Sequence, residues 1–184
     1  VHLNLFGPNP VVVFGTDEQK ARMLPSLIQG LDRACFGVTE PDAGLNTTRL
    51  ATRAVRDGDH YRVSGRKLWT TTAQTANKIL LIARTTPLEE CAKPTEGLTL
   101  FYTDLDRDRI EVRLIDKMGR KAVDSNALFI DDLLVPIGDR IGEEGDGWKC
   151  LLHGLNPERI LIAAEAVGLG QVALERAARY ASER

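Results

Sequence analysis

"LATRAVRDGDHYRVSGRKLWTT", residues 50 to 71, decides the fold. Two runs of mixed apolar and polar side chains flank Asp57-Gly58-Asp59. Alternation with a period of two marks half-buried strands, and an Asp-Gly pair supplies the backbone of a tight hairpin turn. The segment therefore predicts an antiparallel hairpin. Downstream, "KILLIARTT" (78–86), "GLTLFYTDL" (97–105), "IEVRLIDK" (110–117) and "ALFIDDLLVP" (127–136) read as further short strands with turn residues between them. "TPLEECAKPTEG" (86–97) reads as a polar, proline-containing loop. Six or seven short strands at this spacing suggest a small barrel or sandwich.

The flanks are helical. Thr16 caps "DEQKARMLPSLIQG" (17–30), and Gln19 completes a capping box. Pro25 within it ends a turn or kinks the helix. The pattern turns helical again from Gly145, with Asn156 a suitable cap and Pro157 a suitable first helical residue. "ERILIAAEAVGLGQVALERAARYASER" (158–184) then places Ile160, Ala164, Val167, Leu174 and Ala178 on one wide apolar face. At 1.5 Å per residue it would be about 40 Å long. Such a helix wants a bundle. The fold class expected is α+β, a small antiparallel β-barrel or sandwich middle domain flanked by helices of truncated α-helical domains. The boundaries expected are 1–33, 34–137 and 138–184.

The chain has 184 residues, is 43% hydrophobic and 27% charged, and is ordinary for a globular protein. A formal net charge of −2 provides no basic field for nucleic acid. No apolar run approaches the ~20 residues that span a bilayer. The opening "VHLNLF" has neither a basic n-region nor an initiator Met, so it reads as part of a longer or processed chain and not as a signal peptide. Cys35, Cys91 and Cys150 are far apart and odd in number, which suits free thiols in a reducing compartment. They form no ligand spacing with His2, His60 or His153, which argues against zinc or haem.

Three stretches could carry chemistry. In "CFGVTEPDAGLNTT" (35–48) a buried strand opens into a stiff polar loop. Either the loop only reverses the chain, or Pro41 and Gly44 let its N–H groups converge on a ligand, with the Thr39 hydroxyl beside them. In "GRKLWTTTAQTAN" (65–77), Trp69 and Thr71 share a face of a strand. That pairing suits a flat heteroaromatic ligand and equally suits a half-buried strand. Glu158-Arg159 opens the last helix. Glu158 is either an acid favoured there by the helix dipole or a general base.

"CFGVTEPDAG", "GRKLWTT", "KMGRKAVDSNALFIDDLLVP", "GEEGDGW" and "ERILIAAEAVG", in that order, resemble the acyl-CoA dehydrogenase family. The similarity runs from near Gly15 to the end of the chain. It implies the tail of an N-terminal helical domain, a whole β-domain that binds flavin and acyl-CoA, and the first helix of a C-terminal bundle. It implies FAD as cofactor. Phe36, Val38 and Thr39 would run along the pyrimidine side of the flavin, with Thr39 donating to a flavin carbonyl. Trp69 would pack beside the ring, Thr70 would line the same strand, and Thr71 would bond near N5. Many members carry Ser at the position of Leu45, bonding the FAD pyrophosphate or the substrate; here only the backbone N–H, or Thr47 or Thr48, could serve.

The reaction implied is α,β-dehydrogenation of an acyl-CoA thioester to a 2-enoyl-CoA, as in β-oxidation of fatty acids. The electrons would pass to an electron-transfer flavoprotein. In a subset resembling isovaleryl-CoA dehydrogenase the base stands where Glu158 stands, with Arg159 a substrate contact and Asn156 and Leu45 nearby. The alternative is a base beyond Arg184. The family also implies a homodimer or homotetramer, and a location in bacterial cytoplasm or mitochondrial matrix. Two other readings stand beside it: a related flavin-dependent oxidase or monooxygenase, and a non-catalytic β-domain interaction module.

Overall fold

The computed structural model describes residues 7–184. The opening "VHLNLF", with His2 and the start of the expected N-terminal helical domain, lies outside the described residues. Two helices come first, α1 (Asn9–Phe14) and α2 (Asp17–Ile28). Thr16 caps α2 as the sequence predicts. Its hydroxyl accepts from the Gln19 N–H at 3.1 Å, and the Gln19 side chain accepts from the Thr16 N–H at 2.9 Å. Pro25 sits inside α2, which continues to Ile28.

Eight strands follow: β1 (Ala34–Gly37), β2 (Arg53–Asp57), β3 (His60–Thr71), β4 (Lys78–Arg84), β5 (Leu98–Asp104), β6 (Ile110–Leu114), β7 (Ser125–Pro136) and β8 (Arg140–Ile141). The predicted hairpin is β2–β3, in register from Asp57↔His60 to Arg53↔Ser64. Its two-residue turn has Gly58 at φ 62°, a conformation glycine adopts without strain. The strand order is β6-β7-β3-β2-β4-β5-β8, with β1 beside β4. The sheet is open, ending on β6 and β8. Most neighbours are antiparallel, but β1 runs parallel to β4, as does the single β2–β4 contact. A crossing from β1 past β2 and β3 to β4 permits a parallel pair where a short hairpin would not.

β4 explains where the core lies. Ile79, Leu81 and Ala83 join one cluster with Tyr61, Val63, Phe101 and Leu128. Leu80 and Ile82 join another, with Val11, Met23, Leu27 and Leu151 from the helices. Both faces of β4 are covered, which is why its sequence is continuously apolar.

The last helix, α3, runs from Gly147 to Glu183 and contains Pro157. It starts close to Gly145, where the sequence pattern turns helical, and runs through the Asn156-Pro157 start signal without a break. Gly147 permits this start, because a Cβ there would lie 2.6 Å from the Thr99 carbonyl carbon. The helix begins directly against β5. Pro157 has no N–H to offer the carbonyl four residues back. That carbonyl, of His153, accepts from the Asn9 side chain at 2.8 Å instead, and the Phe14 ring meets the His153 ring edge-on at 4.8 Å. Ile160, Val167 and Leu174 are exposed, as is nearly all of α3 beyond Arg159.

Asn9→Ala is expected to lower stability by roughly 0.5–1.5 kcal/mol, the usual worth of one hydrogen bond. In a Pro157→Ala background the penalty should shrink, since the new N–H can serve the His153 carbonyl. Urea unfolding of the four proteins measures this; an equal penalty in both backgrounds would contradict the assignment.

Candidate functional site

The loop after β1 is a closed turn. Glu40 N–H donates to the Ala43 carbonyl at 3.4 Å, and Ala43 N–H to the Glu40 carbonyl at 3.2 Å. Those two N–H groups are consumed, so they do not converge on a ligand. The turn closes before Gly44, which has no left-handed conformation. What the loop leaves open is Thr39. Its carbonyl accepts from Leu68 N–H at 2.8 Å, joining the loop to β3. Neither its N–H nor its hydroxyl has a hydrogen-bond partner among the described residues.

Beneath this junction lies an ion pair that the motif reading missed. Lys67 is 1% exposed. Its ammonium donates to Glu40 at 2.8 Å, to the Ile82 carbonyl at 2.7 Å and to the Val38 carbonyl at 3.2 Å. Glu40 accepts in addition from Ala51 N–H at 2.6 Å and Thr52 N–H at 3.0 Å. Every strong acceptor and donor of the pair is used. Burial pushes the Lys67 ammonium down to about 8, while Glu40 pulls the other way. Burial alone would raise the Glu40 carboxyl. The Lys67 charge and the hydrogen bonds from Lys67, Thr52 and Ala51 outweigh it and hold the group below its ordinary range. The geometry, three acceptors on the ammonium and three donors on the carboxylate, is that of an ion pair. The signal was present: Lys67 keeps the inward parity of Tyr61 and Val63.

Two β-bulges shape the strand above the pair. Between Val63↔Leu133 and Gly65↔Ile130 the extra residue is on β7, where Asp132 has φ 54°. Between Lys67↔Leu128 and Thr70↔Asn126 it is on β3, where Trp69 has φ 60°. The second bulge reverses the parity of β3. Strict alternation from Lys67 would turn Trp69 inward; instead Trp69 is 56% exposed and Thr70 is buried. The Thr70 hydroxyl has no hydrogen-bond partner among the described residues. Thr71 is half-buried and donates no side-chain hydrogen bond among the described residues. Phe36 and Val38 are half-buried against the helix-side core. The Leu68 N–H to Thr39 carbonyl bond thus brings Thr39 to the β3 bulge that carries Trp69, Thr70 and Thr71, with Trp69 outward and Thr70 inward, while Phe36 and Val38 lie on the β1 side of that junction against the helix-side core.

The remaining predicted residues lie elsewhere. Leu45 is fully exposed. The Thr48 hydroxyl donates to Asn46 at 2.6 Å. Asn156, Glu158 and Arg159 stand inside α3, not at its start, so the helix dipole does not act on Glu158 as a first-turn residue. Arg159 donates to the Asn156 side chain at 2.8 Å. Glu158 and Arg159 line an open groove with Leu155, Ile162, Ala163 and Ala166, all of α3. Arg84 is a second missed residue. Buried, it donates to the carbonyls of Thr48, Leu50, Pro94 and Glu96. A pocket of about 300 Å³ opens beside it, with Arg49 and Arg53 among its lining residues. The three cysteines are free thiols, and Cys91 is half-buried. No described helix is long and apolar enough to cross a membrane.

Compared with known proteins, residues 35–133 match the acyl-CoA dehydrogenase middle domain and residues 145–184 the acyl-CoA dehydrogenase C-terminal domain. The chain belongs to the acyl-CoA dehydrogenase family. It is 35% identical over 182 residues to a probable acyl-CoA dehydrogenase, YngJ, of Bacillus subtilis, covering 97% of this chain and 46% of that protein. It resembles the structure of butyryl-CoA dehydrogenase from Megasphaera elsdenii with a TM-score of 0.84 at 32% identity, covering 96% of this chain and 45% of the other. It also resembles the prolyl acyl carrier protein oxidase AnaB, with a TM-score of 0.82 at 33% identity over 97% of this chain and 49% of the other. The chain spans about half the length of the curated relatives it matches.

Lys67→Met should cost about 3–5 kcal/mol, because it leaves a buried carboxylate unpaired. Adding Glu40→Gln should recover part of that loss. The depressed Glu40 value also sets a pH dependence. Its contribution is complete above the ordinary carboxyl value of 4.5 and is lost as pH falls through the lower folded-state value. Denaturant unfolding of wild type and Glu40→Gln should therefore differ at pH 7 and converge in acid; a constant gap would contradict this.

Proposed function

We propose that this chain is the flavin-binding and substrate-binding part of an acyl-CoA dehydrogenase that converts an acyl-CoA thioester to a 2-enoyl-CoA. The observation that carries the reading is the edge where Thr39 and the Trp69 bulge meet. The Leu68 N–H to Thr39 carbonyl bond joins the loop to the bulge that turns Trp69 outward, and the Thr39 N–H and the Thr39 and Thr71 hydroxyls have no partner among the described residues, in a chain of this family. The same observation fits FAD. The N–H and hydroxyl of Thr39, without a hydrogen-bond partner among the described residues, are the polar groups there still open to a ligand.

In this reading bound FAD supplies the acceptor for the β-hydride. Trp69 packs along the ring. Thr39 and Thr71 hold hydrogen-bond donors toward its polar edge, where fixed donors favour developing negative charge. Phe36 and Val38 keep water from the inner side. Glu158 takes the α-proton, and Arg159 and Asn156 hold the substrate beside it. Leu45 contributes its backbone at most, since its side chain cannot donate. Arg49 and Arg53, which form no ion pair among the described residues, give positive charge suited to phosphates of a coenzyme. The chain divides at 33/34 and 137/138 into a helical tail, the β-domain and the first helix of a bundle. A homodimer or homotetramer completes the site, and an electron-transfer flavoprotein collects the electrons, in bacterial cytoplasm or mitochondrial matrix.

The likeness to an acyl carrier protein oxidase favours a second reading, in which oxygen takes the electrons. Oxygen consumption during turnover of an acyl thioester would select it. For the first reading, the protein expressed from its complete reading frame should purify yellow. Glu158→Gln should keep its flavin and lose 10²–10⁴-fold in turnover, the usual worth of a general base. Near-normal turnover would move the base beyond Arg184, and a colourless protein that takes up no FAD would end the flavin reading.

A further inference from the structure

We propose that the Glu40–Lys67 ion pair positions the flavin wall, holding the Thr39 backbone and the left-handed bulge at Trp69 in the one arrangement that turns their donors and ring outward. The inference rests on the flavin function proposed above. It assigns the pair a task beyond holding the fold together.

The pair's contacts bracket the wall. Lys67 grips the Val38 carbonyl, and Glu40 is the next residue but one. Thr39 therefore sits between two anchors. On the other strand, Lys67 immediately precedes Leu68 and Trp69, the two residues of the bulge. The Leu68 N–H to Thr39 carbonyl bond of 2.8 Å ties the two halves together. Ala51 and Thr52 fasten Glu40 from behind, and the Ile82 carbonyl fastens Lys67.

Stability alone does not call for charges here. A buried ion pair is often no better than well-packed apolar residues of the same size. The surroundings are apolar: a Cβ at Gly37 would touch Leu81 at 2.9 Å, Ile79 at 3.0 Å and the Lys67 stem at 3.5 Å. What the pair adds is direction. Five charge-assisted hydrogen bonds with fixed angles select one backbone path, which apolar packing does not do. Direction is needed because the bulge is strained. A non-glycine residue in the left-handed region is strained and persists where its surroundings impose it.

The test uses the flavin-loaded protein from the complete reading frame, with Glu40→Gln, Lys67→Met, the double variant, and Val135→Ala as a control. Val135 is buried in the core on β7, paired with Tyr61, six residues before Lys67 on β3. Thermal melting, FAD dissociation and the flavin midpoint potential are measured for each. A glutamine has one acceptor oxygen, so in Glu40→Gln an N–H of Ala51, Thr52 or Lys67 loses its partner. FAD should dissociate at least tenfold more readily. The preference for reduced over oxidised flavin should fall about tenfold, which is about 30 mV for a two-electron couple. The double variant should regain thermal stability without regaining flavin affinity or potential. Should Lys67→Met alone not fold, the double variant carries the comparison. If affinity and potential merely follow melting temperature across all variants, Val135→Ala included, the pair is structural only and the proposal is overturned. If the native protein takes up no FAD, the flavin reading falls and this inference with it; native flavin unmoved by Glu40→Gln removes the inference alone.

Discussion

Lys67 has three N–H donors and no water to give them to. Its burial is complete, and so is its satisfaction: one carboxylate and two main-chain carbonyls. Removing any one of those acceptors would strand a charge in an apolar surround, where the penalty is several kcal/mol. That constraint reaches through five segments. It binds the end of β1, the turn at Glu40, the approach to β2, the middle of β3 and the middle of β4. The parallel placement of β1 beside β4 puts Val38 and Ile82 on either side of the same ammonium. A slip of one residue in any of these strands would separate the partners.

The two bulges work against that fixed point. The first, on β7, bends the β3–β7 ladder before Gly65; the second, on β3, follows Lys67 at once. Between them three residues of β3 stay in regular register, from Gly65 to Lys67. The ladder is therefore disturbed on both sides of the lysine and regular at it. Inward residues below the second bulge are odd-numbered, and the inward residue above it is Thr70. A tryptophan that the alternation would bury becomes the most exposed aromatic side chain of the sheet.

Much of this was legible in the sequence, for local reasons. The hairpin rests on Asp57-Gly58 and the capping box on Thr16 and Gln19, each a pattern of neighbours. The strands showed because their alternation is short-range too. Lys67 could have been found from its parity with Tyr61 and Val63, but a lysine in a strand reads as solvent-facing until its carboxylate is known. Glu40 lies 27 residues away, and nothing local links them. The bulge at Trp69 was not legible, because it answers a mismatch between two strands. The cap signal inside α3 misled for a related reason, although the helical pattern from Gly145 was legible. Asn156-Pro157 is a good local start signal, and only the packing of Gly147 on β5 and the Asn9 contact override it.

That proline has one more effect. A long helix lying on a sheet can in principle slide by a turn along its axis, since each turn resembles the next. Pro157 removes the equivalence. It exposes one carbonyl, at His153, and one side chain, Asn9, is placed to meet it. The helix thus carries a phase mark, like a notch on a ruler. Glu158 and Arg159 follow the notch by one and two residues, so their height along the axis is set from the far end of the chain's described length. Whatever packs against the exposed turns beyond them inherits that same zero point.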